Sequence, residues 1–342
     1  MPVTLSPVLY RESVEDVLPD EQETIDKIIA TMTSEAETVE KTTHHFVRSS
    51  HAKSTGLLKG TLEVLSGLPV PYAQGLFAEP RSYPALVRMA QGPGEFLSDK
   101  VSTHRGMAIK VLGVSGPKLP GHDAETQDFV LATGKVFPQA SSATFLQAIR
   151  GIGASAALPE VVKGAVSSVS RGLNAAYRSV AGEDSPTLSF FGHTPRHPLA
   201  DPYFSQAPLR YGDYIAKVGV FPASPELTAL GTDPLDLEGD ENGFRTAVVN
   251  FFSRNSAVFE FRVQLNTDVA RMPVENASAE WPEEDSSYVT VARLMLPQQA
   301  AHSTARAAYY TDTLTFRPAH SLVAHRPLGS IMRARLRTYQ AL

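Results

Sequence analysis

AVFEFRVQLNT, residues 257–267, alternates without a break: Phe259, Phe261, Val263 and Leu265 fall on one side and Glu260, Arg262 and Gln264 on the other. A period of two is the mark of a strand with one buried face. Similar short runs lie around it. Tyr214 to Phe221 and Phe244 to Phe252 read as apolar strand runs upstream. Leu62 to Leu65, Ala85 to Met89, Met107 to Val114 and Asp128 to Ala132 form an earlier block, each bounded by Gly, Pro or Asp. Helical spacing occupies residues 20–41, where Ile25, Ile28, Ile29 and Met32 recur among acids, and residues 157–182, through Val161, Val162, Ala165 and Val169. It returns over about residues 286–310, before a final strand from Thr313 to Phe316 and a last short helix starting at Gly329 and Ser330. Two strand-rich halves separated by helices predict an α+β architecture, an antiparallel sheet or barrel with helices added. With no internal repeat and no linker, residues 1–342 are expected to form a single domain, with 1–45 as an N-terminal helical arm and 46–342 as the core.

Composition narrows the function classes. A 342-residue chain with 42% hydrophobic residues can bury a large core, and 25 prolines with 23 glycines favour short strands and structured loops. A net charge of −5 offers no basic field for nucleic acid. The absence of cysteine excludes disulfides, thiolate metal sites and a cysteine nucleophile. The start, MPVTLSPVLYRESVEDV, lacks a basic segment followed by an apolar run, and no stretch has the length of a membrane span. A soluble, cytoplasmic protein is the expectation.

Several motifs carry no function. GIGASA at 151–156 lacks the third glycine of a dinucleotide loop. The stretch from Glu238 to Gly243 begins like a calcium loop but has Val249 where a bidentate carboxylate is needed, so it reads as a solvated acidic turn. His193 and His197 have Pro195 between them, which prevents a shared helix face, and they read as surface loop histidines.

Two segments have chemical content. In RSSHAKSTGLLKG, from Arg48 to Gly60, His51 sits among small and basic residues, and the segment alone reads as a basic surface loop. In HRPLGSIMRARLRTYQAL, from His325 to the C-terminus, Ile331, Arg335 and Tyr339 fall one above another on a helix. A buried guanidinium needs an anionic partner. A tyrosine oxygen can supply one as a phenolate, which at neutral pH requires a nearby cation or metal, since a free phenol titrates near about 10. An ordinary basic helix with Arg335 snorkelling to solvent fits the same spacing.

Taken in order, these segments resemble the haem catalase family, and within it the small catalase-related peroxidases. His-Ala-Lys at 51–53 resembles the distal-histidine segment, and Arg-Leu-Arg-Thr-Tyr at 335–339 the proximal one. Between them, ALVRMAQGPGE at 85–95, HRGMAIKV at 104–111 and QDFVLATGKVF at 127–137 are similar to three of the family's strands; residues 157–300 match loosely. The resemblance implies haem b held within an eight-stranded antiparallel β-barrel with flanking helices, without the family's C-terminal helical domain. Tyr339 is then the iron ligand, Arg335 holds it as the phenolate, and His51 is the distal acid–base group. Arg48 and Arg88 match arginines that pair with haem propionates, and Phe145 the phenylalanine beside the haem. Departures are equally specific: Thr133 stands where the family has a distal asparagine, Ala90 where a serine supports the distal histidine, and Ser50 where an apolar residue precedes it. The implied activity is peroxide decomposition, peroxidatic with some catalase activity, on hydrogen peroxide or an organic hydroperoxide with a small-molecule electron donor. Two alternatives remain open, a fatty-acid hydroperoxide rearranging enzyme and a non-catalytic haem carrier. No nucleic-acid partner and no membrane span are implied, and a homodimer is the expected assembly.

Overall fold

A computed structural model describes residues 6–43, 50–156, 160–181, 185, 188 and 191–341. Helix α1 (Glu21–Thr43) leads into strands β1 (Ser54–Val64), β2 (Ser82–Gln91), β3 (Arg105–Leu112) and β4 (Thr126–Ala132). Helices α2 (Ser142–Ala156) and α3 (Glu160–Ala181) follow, then β5 (Tyr203–Phe204), β6 (Leu209–Tyr211) and β7 (Tyr214–Pro222). The chain continues through helix α4 (Gly243–Phe252), β8 (Ala257–Leu265) and β9 (Val289–Leu296) to the terminal helix α5 (Ser330–Ala341).

Nine strands form one antiparallel sheet, and a further pairing of β5 with β7 closes eight of them into a barrel, leaving β6 as a hairpin partner on β7. Register sets what fills it. Leu58 faces Val87, Val87 faces Ile109 and Ile109 faces Phe129 across β1 to β4, while Val220 faces Phe261 and Phe259 faces Leu294 across β7 to β9. These residues are fully or almost fully buried in one cluster that plugs the lumen, as expected of a small closed barrel. The alternation of residues 257–267 is therefore borne out, with one exception: Gln264, on the outer side, is buried because its amide donates to the carbonyls of Trp281 and Ser286.

Three expectations about local structure are overturned. Residues 244–252 are helical, not a strand: the buried Asp99 carboxylate accepts from the Phe244 N–H at 2.7 Å and caps α4 from a distant segment. Residues 289–296 form a strand within the stretch expected to be helical. Strand β9 pairs with β1 and β8, and its run buries Val291 and Ala292 in succession beside the exposed Arg293, so it lacks the clean alternation that separates a short strand from a helix. The stretch Thr313–Phe316 is not a strand; it follows a π-helical turn (Ala308–Thr313) and lays Phe316 beside Leu57, Leu86 and Tyr310 on the outside of the barrel. That strap is anchored by the Tyr310 hydroxyl, which donates to the Leu58 carbonyl at 2.7 Å, and by Arg306, which donates to the Leu57 carbonyl.

The terminal helix is pinned at its first turn. Glu15 and Glu275 accept from the N–H groups of Gly329 and Ser330 at 2.9 and 2.8 Å, where carboxylates offset the exposed donors and positive pole of a helix start. Arg333 binds Glu15, Glu21 and Glu275 at 2.6 to 3.0 Å. Behind this node Ala334 packs with Ile25 and Ile28 of α1 and Leu146 and Ile149 of α2. No helix among the described residues is long and apolar enough to cross a membrane.

Candidate active site

His51 enters β1 in the left-handed region at φ 53°, a conformation that costs a non-glycine residue on the order of 1–2 kcal/mol. Its backbone N–H donates to the Gly92 carbonyl at 2.9 Å, and Arg88 donates to the carbonyls of His51 and Ala52 at 2.7 and 3.1 Å. These bonds fix the turn that the φ angle requires. The imidazole rests on Gly106 of β3, where an added Cβ would stand 2.7 Å from the ring. Gly106 lies between the buried Arg105 and the lumen residue Met107, and Arg88 alternates with the lumen residues Val87 and Met89. The site thus occupies the outer wall of the barrel.

The tautomer follows from the partner. His51 Nδ1 lies 3.0 Å from the Gln91 carbonyl oxygen, which can only accept, so Nδ1 carries the proton and Nε2 is a bare acceptor. Burial, then the positive charges of His104, Arg88 and Arg335, hold the imidazole pKa well below the ordinary histidine value. His51 is a neutral base at pH 7. The Gln91 carbonyl occupies the orienting role for which Ala90 has no hydroxyl.

Gln91 is itself locked. Its side-chain amide donates to Asp99 Oδ1 at 2.6 Å, and the same carboxylate oxygen meets Lys53 Nζ at 2.7 Å. Lys53 also donates to the carbonyls of Leu97 and Glu241. Asp99, Lys53 and Gln91 are all buried. The Lys53–Asp99 ion pair, hydrogen-bonded to the Gln91 amide, stiffens what it touches, here the backbone on either side of His51. Lys53 belongs to the His-Ala-Lys segment, but Gln91 and Asp99 do not stand out in the sequence, because only the fold brings the end of β2 and the segment after it against Lys53.

Thr133 follows β4, and its hydroxyl oxygen accepts from the Arg105 N–H at 3.0 Å, one residue from the Gly106 seat. Gln206, the other described non-glycine residue with positive φ, holds this segment by donating to the carbonyls of Thr133, Gly134 and Val136. Arg105 is buried over the Phe244 ring and paired with Asp201 at 2.5 Å. Asp201 also meets His193 Nε2 at 3.1 Å and Arg196 at 3.2 Å. The expectation that His193 and His197 are surface loop residues is therefore wrong. Both are buried, His193 on Asp201 and His197 accepting from the Leu199 N–H through Nδ1 at 3.2 Å.

On α5, Arg335 reaches the Tyr339 hydroxyl at 3.4 Å and Met332 Sδ at 3.4 Å. Both Arg335 and Tyr339 are half-buried, and Arg337 is exposed. Among the described residues no salt bridge joins Arg335 to a carboxylate, and its charge is one of those acting on His51. The structure thus brings the first and last chemical segments of the chain to one site. Phe145 packs against Ile331 and Met332 of α5 and meets Phe137 edge-on with ring centres 5.6 Å apart. Arg48 lies outside the described residues.

The donor set fits an anionic haem. A half-buried guanidinium touches a phenol oxygen with no carboxylate paired to it among the described residues, and the charges of Arg88 and Arg335 act on the neutral His51. An oxygen ligand carrying negative charge and a group bearing carboxylates complement that field. Arg88 is less free than the sequence resemblance implies, since it spends hydrogen bonds on the carbonyls of His51 and Ala52.

No family model matches the sequence, and no curated protein does. Solved structures do match. A fungal catalase aligns with a TM-score of 0.59 at 15% identity over 99% of this chain and 64% of its own. A bacterial catalase aligns with a TM-score of 0.59 at 14% identity, covering 63% of its length, and catalase A from Saccharomyces cerevisiae with 0.59 at 14%, covering 67%. The chain has a catalase-like fold: a closed eight-stranded antiparallel barrel with flanking helices. It spans about two thirds of the length of the catalases it matches.

Proposed function

We propose that this chain is a haem-dependent enzyme that breaks down peroxides, using hydrogen peroxide or an organic hydroperoxide, mainly as a peroxidase with a small-molecule electron donor. The observation that carries this reading is a neutral His51 with a bare Nε2, held by Gln91, within reach of the charge on the Arg335–Tyr339 pair. Tyr339 would hold the iron of haem b through its phenol oxygen, and Arg335, which reaches that oxygen, would meet its negative charge. Phe145 supports the helix that presents them. Arg48 and Arg88 supply positive charge for the propionates. When bound, haem supplies the two-electron chemistry that splits the O–O bond.

The protein's own part is proton management. His51 Nε2 accepts a proton from one peroxide oxygen and delivers it to the other, a transfer that suits a base held neutral at pH 7. Thr133 offers one hydroxyl next to this base where an amide is expected, and its oxygen already accepts from Arg105. That leaves a hydroxyl proton but no amide donor to position a second molecule of hydrogen peroxide, which favours peroxidase over rapid dismutation. The whole chain acts as one haem domain.

The test is turnover of the haem-loaded protein. Oxidation of a phenolic donor should exceed oxygen evolution, and His51→Ala should keep its haem while peroxide cleavage falls about 100- to 10,000-fold. Rearrangement of a fatty-acid hydroperoxide with no donor oxidised would move the assignment to the rearranging enzymes. No turnover with any peroxide would leave a haem carrier.

A further inference from the structure

Helix α3 is amphipathic in the wrong sense. Its buried seam, at Lys163, Ser167, Ser170 and Asn174, is polar. Ser167 donates to the Ser102 carbonyl at 3.0 Å, Lys163 pairs with Glu95 at 2.7 Å, and Asn174 accepts from the Ser185 N–H at 2.8 Å. Gly192 lies so close to the helix that a Cβ there would stand 2.6 Å from the Arg171 nitrogen. These contacts fix which side faces the body. The opposite side exposes Val162, Val166, Val169, Leu173, Tyr177 and Val180, from 40% at Val162 to 89% at Val180.

The spacing of that stripe suits a second helix. Val162, Val166, Val169, Leu173, Ala176 and Val180 alternate by four and three, the repeat that keeps a narrow seam against another helix. The exposed side chains described on α3 are Val, Leu, Ala, Ser and Tyr, with Gly172, and none is charged. Arg171 turns back to the hydroxyls of Ser167 and Ser168. A helix that lies on a lipid surface turns the cations of its polar face to the lipid headgroups, whereas Lys163 and Arg171 of α3 are turned to Glu95 and to the hydroxyls of Ser167 and Ser168. Two identical uncharged faces can meet across a two-fold axis without like-charge repulsion, as a symmetric contact requires.

We propose that α3 is a self-association surface on which a second copy of this chain docks its own α3. The stripe offers six large side chains per copy, fewer than the roughly 20–30 residues a side of a standard interface. That size corresponds to a dimer that dissociates on dilution. The seam beneath the helix reaches Ser102, two residues from His104 beside His51, so the contact also braces one wall of the candidate site. The inference stands apart from the haem reading.

Sedimentation velocity of the full chain tests it. The wild type should pass from monomer to dimer between about 1 and 100 µM, and Val169→Glu should remain a monomer with unchanged circular dichroism. Val169→Ser, a smaller change, decides the matter where the glutamate disturbs folding, and should weaken the dimer at least several-fold. A wild type that stays monomeric at about 100 µM overturns the proposal, as does a dimer unaffected in both variants. So does a monomer that sediments with phosphatidylglycerol vesicles and loses this property in Val169→Glu, which assigns the face to lipid.

Discussion

The Arg333 guanidinium meets the Glu275 carboxylate at 2.8 and 3.0 Å, and the same carboxylate accepts from the Ser330 N–H at the start of the helix that carries Tyr339. One ion pair therefore positions both the first turn of α5 and the side chains one and two turns further on. Glu15 and Glu21 complete the cage around Arg333, so residues more than 300 positions apart are bound together.

Replacing Arg333 should loosen this end of the molecule. Arg333→Ala leaves three carboxylates facing one another without their cation, and breaking such a node costs roughly 3 kcal/mol. Urea unfolding should show that loss, and hydrogen exchange should quicken in residues 330–341 first. Unchanged protection there would mean that packing alone pins the helix.

Gly106 is the seat of the His51 ring. Gly106→Ala places a methyl group 2.7 Å from the imidazole, which must shift away from the Gln91 carbonyl. Peroxide cleavage should fall at least 10-fold while the barrel keeps its thermal midpoint within a few degrees. The His51 imidazole resonance, followed by NMR, should titrate at a higher pH once the ring leaves its buried seat. A variant with wild-type turnover would show that the ring has another stable position.

Acid should unfold the protein through its buried neutral histidines. His325 is enclosed by Phe77 and Tyr211, and its Nε2 accepts from the Leu76 N–H at 2.9 Å. Burial lowers its pKa from 6.5 to about 3, and burial likewise lowers that of His197 from 6.5 to about 4. The unfolded chain takes up protons near pH 6.5 and the folded one does not. The stability these groups confer is therefore complete above about pH 6.5 and drains away as pH falls toward 4 and then 3, by about 1.4 kcal/mol per pH unit for each. Urea midpoints measured from pH 7 to pH 4.5 should follow that slope, and His325→Gln should remove the share of one proton. Constant midpoints over this range would contradict the burial of both rings.

Much of this site is legible in the sequence because its parts are local. Arg88 and Gly106 lie in short strands with His51 and Thr133 just outside two others, and Arg335 and Tyr339 share a helix face by spacing alone. What orients them is not local. The Gln91 carbonyl that fixes the His51 tautomer is a backbone atom, invisible to any reading of side chains. The Lys53–Asp99–Gln91 cluster and the Arg333 cage join segments whose proximity only the folded barrel creates. The errors have the same origin. Strand β9 breaks the alternation, with Val291 and Ala292 buried in succession beside the exposed Arg293, and α4 is capped by Asp99 from far away, so neither run announces its conformation. The buried Asp201 turned His193 from an expected loop residue into part of a charge cluster beside β3.

The absorption spectrum of the purified chain after reconstitution with haem tests the central claim most directly. The wild type should give the spectrum of a high-spin ferric haem with tyrosinate bound, and Tyr339→Phe should lose it. A wild type that takes up no haem, or a Tyr339→Phe protein whose spectrum is unchanged, would contradict the assignment of Tyr339 as the iron ligand.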